Sequence, residues 1–192
     1  MKLLFLFIGI GIFISACHGP VPANREAKED SAEIVKLLKD VYSWHDKNPD
    51  SIRYDFCIIV KDSFQVGVNY DSLKKTINVL NQTGYFSSNF MENYKNLAKL
   101  INKKLTSANP KMYNEINFSF QDADPWTGFQ DSDPGYWNEM KVSGYKATAD
   151  SASLKWKLQT PTWSSDPYTV GFSFEKGKWR VSYLEGFDAK NF

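Results

Sequence analysis

The chain has 192 residues, of which 23 are Lys or Arg and 22 are Asp or Glu, so its formal net charge is +1. This length is that of one domain large enough to bury a core. The near-neutral balance argues against a polybasic surface for nucleic acid or anionic lipid. The two cysteines, Cys17 and Cys57, are too few for a cysteine metal site.

The first 16 residues have the pattern of a cleaved export signal. Lys2 supplies a positive end, and residues 3–14 form an apolar run that is too short to cross a hydrocarbon core of roughly 30 Å, which needs about 20 residues. The segment ISAC at residues 14–17 places an aliphatic residue and two small residues before a cysteine. This pattern resembles that of bacterial lipoproteins and predicts cleavage before Cys17. An ordinary signal peptide with an accidental cysteine is the alternative.

Cys17 is the predicted lipid attachment point. The resemblance to lipoproteins implies a diacylglyceryl group on its thiol, with fatty acids such as palmitate, and two or more chains anchor a protein stably where a single chain does not. We therefore expect a protein tethered to a membrane of the cell envelope. Because His18 rather than Asp follows Cys17, the resemblance is to lipoproteins sorted to the outer membrane, if the host is Gram-negative.

Residues 17–30 are predicted to be the lipidated cysteine and a flexible tether. The segment HGPVPANREAKED, residues 18–30, contains two prolines, many charges and few apolar side chains, so it buries too little surface to fold. A single α+β domain is predicted over residues 31–192. Removal of the signal at residues 1–16, in which Lys2 is the one charged residue, leaves 22 basic and 22 acidic side chains.

The N-terminal half of this domain predicts three amphipathic helices and a hairpin. Apolar residues recur at helical spacing, and capping residues and breakers mark the ends. The predicted elements are a helix that begins at the capping box of Asp30 and Glu33 and ends before Pro49, a hairpin over residues 53–60 and 64–70, a helix from Asp71 to Thr83, and a helix from Asn89 with Glu92 as its box partner.

Cys57 and His45 are the side chains of this half most suited to chemistry, and both have a structural explanation. Cys57 lies in the apolar run FCIIV, residues 56–60. With Cys17 lipidated it has no intramolecular partner, so we expect an inert core residue and no disulfide. His45 ends the first helix, where a cation interacts favourably with the helix dipole.

The C-terminal half predicts an antiparallel sheet with one covered face. Period-two alternation of apolar and polar residues marks three strands, and a fourth strand precedes them with its phase shifted at Gly144, which predicts a bulge. Short turns at 150–151 and 176–177 predict a meander. Helices first and sheet second is the α+β pattern, with the N-terminal helices packed on a curved sheet.

Four segments of the chain resemble one bacterial family. They are VYSWHDKN at the end of the first helix, GYFSSNFMENY at the start of a later helix, the acidic loop FQDADPWTGFQD and the terminal hairpin VGFSFEKGKWRVSYLEG. The family is known only as a domain of unknown function, is frequent in lipoproteins and has the cystatin-like cone of nuclear transport factor 2-like proteins. The resemblance covers about residues 30–187. It implies that fold and no particular activity.

The acidic loop is the strongest candidate for a metal site. Its tandem segments FQDADP and FQDSDP supply four carboxylates within twelve positions, namely Asp122, Asp124, Asp131 and Asp133. A hard cation such as calcium takes about six to eight oxygen ligands, and paired Asp-x-Asp segments are a source of them. The spacing of an EF-hand is not met, because Trp126 falls where the third ligand belongs.

Two other interpretations of the acidic loop stay open. Its aspartates can cap the turns that precede Pro125 and Pro134, which also keeps a long loop soluble. The loop can instead form an exposed contact surface through its aromatic side chains. Those side chains are Trp126, Phe129, Tyr136 and Trp137.

A ligand pocket is predicted on the covered face of the sheet. If the sheet is curved, four aromatic side chains line one enclosed volume, namely Trp156, Phe172, Trp179 and Tyr183. A packed aromatic core is the alternative. This face carries no carboxylate and no histidine, which counts against acid–base catalysis. The sequence contains neither a glycine-rich phosphate loop nor a nucleophile elbow, so we expect no cofactor.

The sequence favours a noncatalytic, lipid-anchored domain that binds an envelope protein partner or a small apolar ligand. The membrane is its other predicted partner, and no nucleic acid is expected. An enzyme is the first alternative: it would act on an envelope metabolite or glycan through aspartates of the acidic loop, with two carboxylates about 5 to 10 Å apart in a cleft. A wholly structural envelope protein, with neither a pocket nor an apolar patch, is the second.

Overall fold

The computed structural model of the protein describes residues 27–48, 56–107, 111–112, 124–129, 134–159 and 164–191. In these residues, three helices make up the N-terminal half and a four-stranded antiparallel sheet the C-terminal half, so the predicted α+β class is confirmed. The signal segment, Cys17 and the predicted tether up to residue 26 lie outside the described residues.

The helices are α1, Ala27–Lys47, α2, Tyr70–Thr83, and α3, Ser88–Ser107. The predicted end of α2 is confirmed, with Gly84 in the left-handed conformation that closes the helix. The apolar stripe of α3 is buried as its spacing indicates. Residues 27–30, which we assigned to the tether, belong to α1.

The two predicted capping boxes are wrong. Asp30 lies inside α1, is buried, and its Oδ1 accepts a hydrogen bond of 3.0 Å from the indole Nε1 of Trp179 on the last strand. α3 begins one residue earlier than expected because the Ser87 Oγ accepts from the backbone N–H of Phe90 at 3.1 Å. At α1 the Asp30 carboxylate makes a tertiary contact with Trp179 instead of capping the helix. At α3 the Ser87 hydroxyl caps the helix in place of Asn89.

A small sheet confirms the predicted hairpin. Its strands, in the order β1-β2-β3, are β1, Ile58–Lys61, β2, Phe64–Val68, and β3, Lys111–Met112. Asp62 and Ser63 form the turn with positive φ at both residues, as the type I′ form of the two-residue hairpin turn requires. The first strand is shorter than predicted, since residues 56–57 form a turn and 53–55 lie outside the described residues. Cys57 is buried, as expected.

The main sheet is the predicted meander, in the order β4-β5-β6-β7. Its strands are β4, Met140–Ala147, β5, Ser151–Leu158, β6, Tyr168–Glu175, and β7, Lys178–Leu184. The pairing of β4 with β5 shifts register between Ser143 and Lys146, and Gly144 between them has φ 63°, so the predicted bulge is confirmed. Lys176 and Gly177 form the predicted tight turn.

A second register shift, in the pairing of β6 with β7, corrects the predicted face of Tyr183. Phe172 pairs with Val181, but Gly171 pairs with Tyr183, so Ser182 is the extra residue. Paired residues share one face and neighbours along a strand alternate, so Tyr183 lies on the opposite face from Phe172. The alternation in WRVSYL gives no sign of this bulge.

α1 and α3 cover one face of the main sheet, which we call the inner face, and the opposite face is the outer face. α1 and α3 both pack against β7. The chain between α2 and α3 also runs along β7, where the Val181 N–H donates to the Tyr85 carbonyl at 2.8 Å and the Ser87 N–H donates to the Val181 carbonyl at 2.9 Å. One hydrophobic core therefore joins the helices to the sheet.

Candidate functional site

The described part of the acidic loop, residues 124–129, is a closed turn. The Asp124 N–H donates to the Phe129 carbonyl at 2.9 Å, and the Gly128 N–H donates to the Asp124 carbonyl at 2.7 Å. The Asp124 Oδ1 accepts from the Trp126 N–H at 2.9 Å. Asp124 therefore caps the turn at Pro125, which confirms that interpretation for this residue.

Trp126 carries this turn into the core. Its side chain is fully buried, and its ring stacks on His45 of α1 with centroids 4.7 Å apart. Its other ring contacts include Phe86 at 5.8 Å and Phe187 at 5.2 Å. The predicted exposed contact surface is therefore wrong for Trp126, and it is wrong for Tyr136, which is also buried. Phe129 and Trp137 are partly buried against the core.

Two tyrosine hydroxyls, which we call the tyrosine clamp, hold the backbone of this turn inside the protein. The Tyr42 hydroxyl on α1 donates to the Trp126 carbonyl at 2.7 Å. The Tyr168 hydroxyl on β6 donates to the Pro125 carbonyl at 2.6 Å and accepts from the Gly186 N–H at 2.9 Å. The chain after β7 lies so close that a Cβ at Gly186 would be 1.9 Å from the Pro125 oxygen. The turn is thus fixed from three sides.

The clamp residues belong to a group of five aromatic residues that we call the aromatic centre: Tyr42, Trp126, Tyr136, Trp156 and Tyr168. Trp156 lies in its middle, with ring centroids 4.9 Å from Tyr42, 6.5 Å from Tyr136 and 5.7 Å from Tyr168. Trp126 joins the group through its carbonyl, which accepts from Tyr42, while its ring packs on His45, Phe86 and Phe187. Elements distant in the sequence, including α1, the turn, β5 and β6, each contribute a residue. The aromatic centre therefore forms only in the folded protein.

Two hydrogen-bond donors of the aromatic centre have no partner within the described residues. They are the indole Nε1 of Trp126 and the hydroxyl of Tyr136, both buried. The indole Nε1 of Trp156 makes no hydrogen bond of good geometry, but its N–H is close enough to the Tyr42 hydroxyl to oppose the rise in the pKa of Tyr42. A buried polar group without a partner costs about 1–3 kcal/mol, and nearly all such groups in native proteins are satisfied. The two unpaired donors therefore call for a functional explanation.

Two titratable groups flank the centre, and burial keeps both in the neutral form over part of the pH range. Burial raises the pKa of Asp124 to about 6, and the Trp126 N–H bond opposes that rise. Burial lowers the pKa of His45 to about 4. Burial also raises the pKa of the tyrosines Tyr42, Tyr136 and Tyr168, with the Asp124 charge among the smaller causes. The Asp124 carboxyl is thus electrostatically coupled to the aromatic centre.

The predicted metal site stays a prediction. Asp122, Asp131 and Asp133 lie outside the described residues, and within the described residues no three His, Cys, Asp or Glu side chains group as metal ligands do. Asp124, the fourth predicted ligand, binds the Trp126 N–H through Oδ1, and its raised pKa favours the neutral carboxyl. Neither property suits a calcium ligand.

The four predicted pocket residues are divided by the fold. Trp156, Phe172 and Trp179 are buried, and Trp156 belongs to the aromatic centre. Trp179 binds Asp30 instead. Tyr183, on the outer face, donates to the Asp188 carboxylate at 2.9 Å. A pocket lined by these residues remains a prediction.

Comparison with protein families, curated proteins and solved structures found no match to this chain. In the described part of the chain, no helix combines the length and apolar character needed to cross a bilayer. An α+β fold hosts many functions, so the fold class alone does not specify one. The chemistry of the aromatic centre is therefore the basis for a functional proposal.

Two tyrosines in contact should respond in opposite ways to loss of the hydroxyl. Tyr42→Phe leaves the buried Trp126 carbonyl without its donor and should lower the free energy of unfolding by about 1–3 kcal/mol. Tyr136→Phe removes a hydroxyl that has no partner and should leave the stability unchanged or raise it by about 1 kcal/mol. Urea unfolding followed by tryptophan fluorescence measures both, and equal losses would contradict the different roles assigned to the two hydroxyls.

Asp124 and His45 should give opposite pH dependences of stability. The pKa of Asp124 rises from 3.8 to about 6 on folding, so its contribution is full below pH 3.8 and is lost as the pH rises through 6. The pKa of His45 falls from 6.5 to about 4, so its contribution is full above pH 6.5 and is lost as the pH falls to 4. Each effect is on the order of 3 kcal/mol, and they largely cancel in the wild type.

Substitution should separate the two effects. Asp124→Asn, which keeps the acceptor oxygen, should make the unfolding free energy rise from pH 4 to 6.5, because the His45 contribution then stands alone. His45→Phe, which keeps an aromatic ring against Trp126, should make it fall from pH 4 to 6. Urea unfolding at a series of pH values gives these slopes. Slopes of the same sign in both variants would contradict the assigned pKa shifts.

Proposed function

We propose that this chain is a noncatalytic binding domain, held on a bacterial envelope membrane by a lipid on Cys17, and that the aromatic centre takes a small, largely apolar ligand that carries hydrogen-bond acceptors. The observation that carries this proposal is the pair of buried donors without partners in the described residues, on Trp126 and Tyr136. A ligand oxygen within reach of these donors removes the desolvation cost that they otherwise impose.

The surroundings of the donors define the class of ligand. Small-molecule sites are mostly apolar and fix the orientation of the ligand through a few polar groups. Here the walls are aromatic rings, and the unpaired polar groups are one indole N–H and one hydroxyl, both of them donors. The Phe129 ring adds to these walls, with its centroid 5.6 Å from that of Trp156 and 6.1 Å from that of Tyr136. This chemistry favours a planar or aliphatic body with an acceptor such as a carbonyl, ether or anionic oxygen.

The export pattern and the family resemblance support the rest of the proposal. Residues 1–17 favour a lipoprotein of the cell envelope, at the outer membrane if the host is Gram-negative. A cystatin-like cone is the proposed form of the fold. Its support is the curvature implied by the two bulges of the main sheet and by Asp30, which binds Trp179 on β7 while its charge also acts on Tyr145 of β4, at the opposite edge.

A second candidate is an enzyme in which Asp124 acts as a general acid or base. The raised pKa of about 6 favours it, since carboxyls with such values are typical of acid–base sites. Against it, the same carboxylate already closes the turn at residues 124–129. Asp124→Asn discriminates between the two, because a binding domain retains its ligand in this variant whereas an acid–base enzyme becomes inactive.

Binding of 1-anilinonaphthalene-8-sulfonate tests the proposed site, because this fluorescent probe has an aromatic body and acceptor oxygens. The native protein should bind it saturably at one site. Tyr136→Phe should weaken binding by about tenfold through loss of one hydrogen bond. Tyr145→Phe is the matched control, since Tyr145 on β4 also has a buried hydroxyl without a partner in the described residues but lies outside the aromatic centre.

The two variants make the outcome decisive. Weaker probe binding in Tyr136→Phe, with wild-type binding in Tyr145→Phe, supports a ligand site in the aromatic centre. Equal weakening in both variants, or no saturable binding by the native protein, would overturn it. Far-ultraviolet circular dichroism of each variant should match that of the native protein, which separates loss of the site from loss of the fold.

A further inference from the structure

We infer that the outer face of β4 and β5 is a docking surface for the anionic headgroups of a lipid bilayer. We call this surface the lysine face and define it by Lys141, Lys146, Lys155 and Lys157. The inference deepens the proposed function, since a lipid on Cys17 would bring this face beside a membrane. All four lysines lie in the described residues, whereas Cys17 lies outside them.

Strand register brings the four lysines together. Lys141 pairs with Lys157, Ser143 pairs with Lys155, and Lys146 pairs with Ser153 beyond the bulge at Gly144. On β5 these positions alternate with the buried residues Leu154 and Trp156, so the lysines project from the outer face. Two cations directly opposite each other, as at Lys141 and Lys157, destabilise a sheet. A surface that retains such a pair is better suited to an anionic partner than to water alone.

The lysines have no internal counter-charge. In the described residues none of the four makes an ion pair, since the ion pairs involve lysines on α1, on α3 and near the C-terminus. Three carboxylates belong to the β6 and β7 side of the sheet, and all three are engaged. Glu175 accepts from the Ser88 N–H and hydroxyl, and Glu185 accepts from the Thr169 N–H. Asp188 accepts from the Tyr183 hydroxyl and pairs with Lys190.

The remaining surface of the sheet favours headgroups over a protein partner. Protein interfaces have a core enriched in aromatic residues and depleted in lysine. Here the lysines alternate with small polar residues such as Ser143, Ser153 and Thr169, and the large apolar side chains exposed in the described residues, Ile59, Val60 and Tyr70, lie on β1 and α2. Headgroup phosphates require only positive charge and hydrogen-bond donors on a broad face, and each lysine near an anionic membrane contributes favourably.

The geometry of the chain is compatible with this contact. Residues 17–27 span at most about 35 Å when fully extended. A strand of eight residues such as β5 is about 27 Å long. The chain between a lipid on Cys17 and α1 can therefore extend further than the length of one strand of the sheet. The net charge gives no sign of this surface, because 23 basic and 22 acidic residues nearly balance over the whole chain. The strand register brings four of the basic residues together on one face.

The test uses the full chain with Cys17→Ser, so that no lipid is attached, and vesicles made of equal parts phosphatidylglycerol and phosphatidylcholine. Cosedimentation should show binding to these vesicles, loss of binding at high salt and no binding to pure phosphatidylcholine. Lys141→Gln with Lys157→Gln should weaken binding by about 25-fold, or roughly fivefold for each lysine. The same double change should raise the melting temperature, because it removes the opposed pair of like charges.

Lys74→Gln with Lys75→Gln on α2 is the matched control, since it removes two exposed lysines and the same net charge. Vesicle binding by this control within twofold of the parent supports the lysine face. Weakening by the control pair equal to that by the Lys141 and Lys157 pair would overturn it. Preferential binding to soluble polyphosphate, with none to the anionic vesicles, would also overturn the lipid assignment. The predicted lipid on Cys17 is tested separately, in the producing bacterium, with a protein that carries Cys17→Ser and both lysine-face changes. If this protein stays on the membrane, the lipid on Cys17 is overturned.

Discussion

The hydrogen bonds from Tyr42 and Tyr168 to the backbone carbonyls of Trp126 and Pro125 are the constraint on which the rest of the structure depends. A loop normally stays on the surface because its backbone polar groups need water. Here two buried hydroxyls replace that water, so the backbone of the turn at residues 124–129 can lie inside the protein. The Trp126 ring can then fill the space between α1, α3 and the C-terminal segment, where it contacts His45, Phe90 and Phe187.

The same arrangement brings polar chemistry into an apolar interior. Asp124 belongs to this turn, and burial raises its pKa, while burial lowers the pKa of His45, which stacks on Trp126. Both hydroxyls of the tyrosine clamp have partners, but the neighbouring hydroxyl of Tyr136 and the indole N–H of Trp126 have none in the described residues. A phenylalanine in place of Tyr136 would avoid that cost. This contrast is the observation on which the proposed binding function rests.

The sequence predicts those parts of the fold that local patterns determine. The apolar stripes of α2 and α3, the glycine bulge at Gly144 and the tight turn at residues 176–177 depend on neighbouring residues, and all are confirmed. The capping box at Asp30 failed because its carboxylate binds Trp179, which lies 149 positions away. The predicted face of Tyr183 was wrong because the bulge at Ser182 contains no glycine that would indicate it in the sequence.

The candidate site was less accessible from the sequence for the same reason. Tyr42 and Tyr168 have ordinary core positions in a helix and a strand, and nothing local indicates that their hydroxyls meet the turn at residues 124–129. The lysine face illustrates this too, since the composition argued against a basic surface and only the pairing of β4 with β5 reveals one. Cross-strand register and long-range hydrogen bonds are properties of the folded chain.

Native-state hydrogen exchange of the Thr127 and Gly186 amides tests the tyrosine clamp most directly. Both residues are buried; the Thr127 N–H donates within the turn to the Asp124 carbonyl, and the Gly186 N–H donates to the Tyr168 hydroxyl. If the turn is part of the core, both amides should exchange only through global unfolding, with the same opening free energy as a buried α3 amide such as that of Ile101. Exchange at a much lower opening free energy, as in a surface loop, would contradict the account.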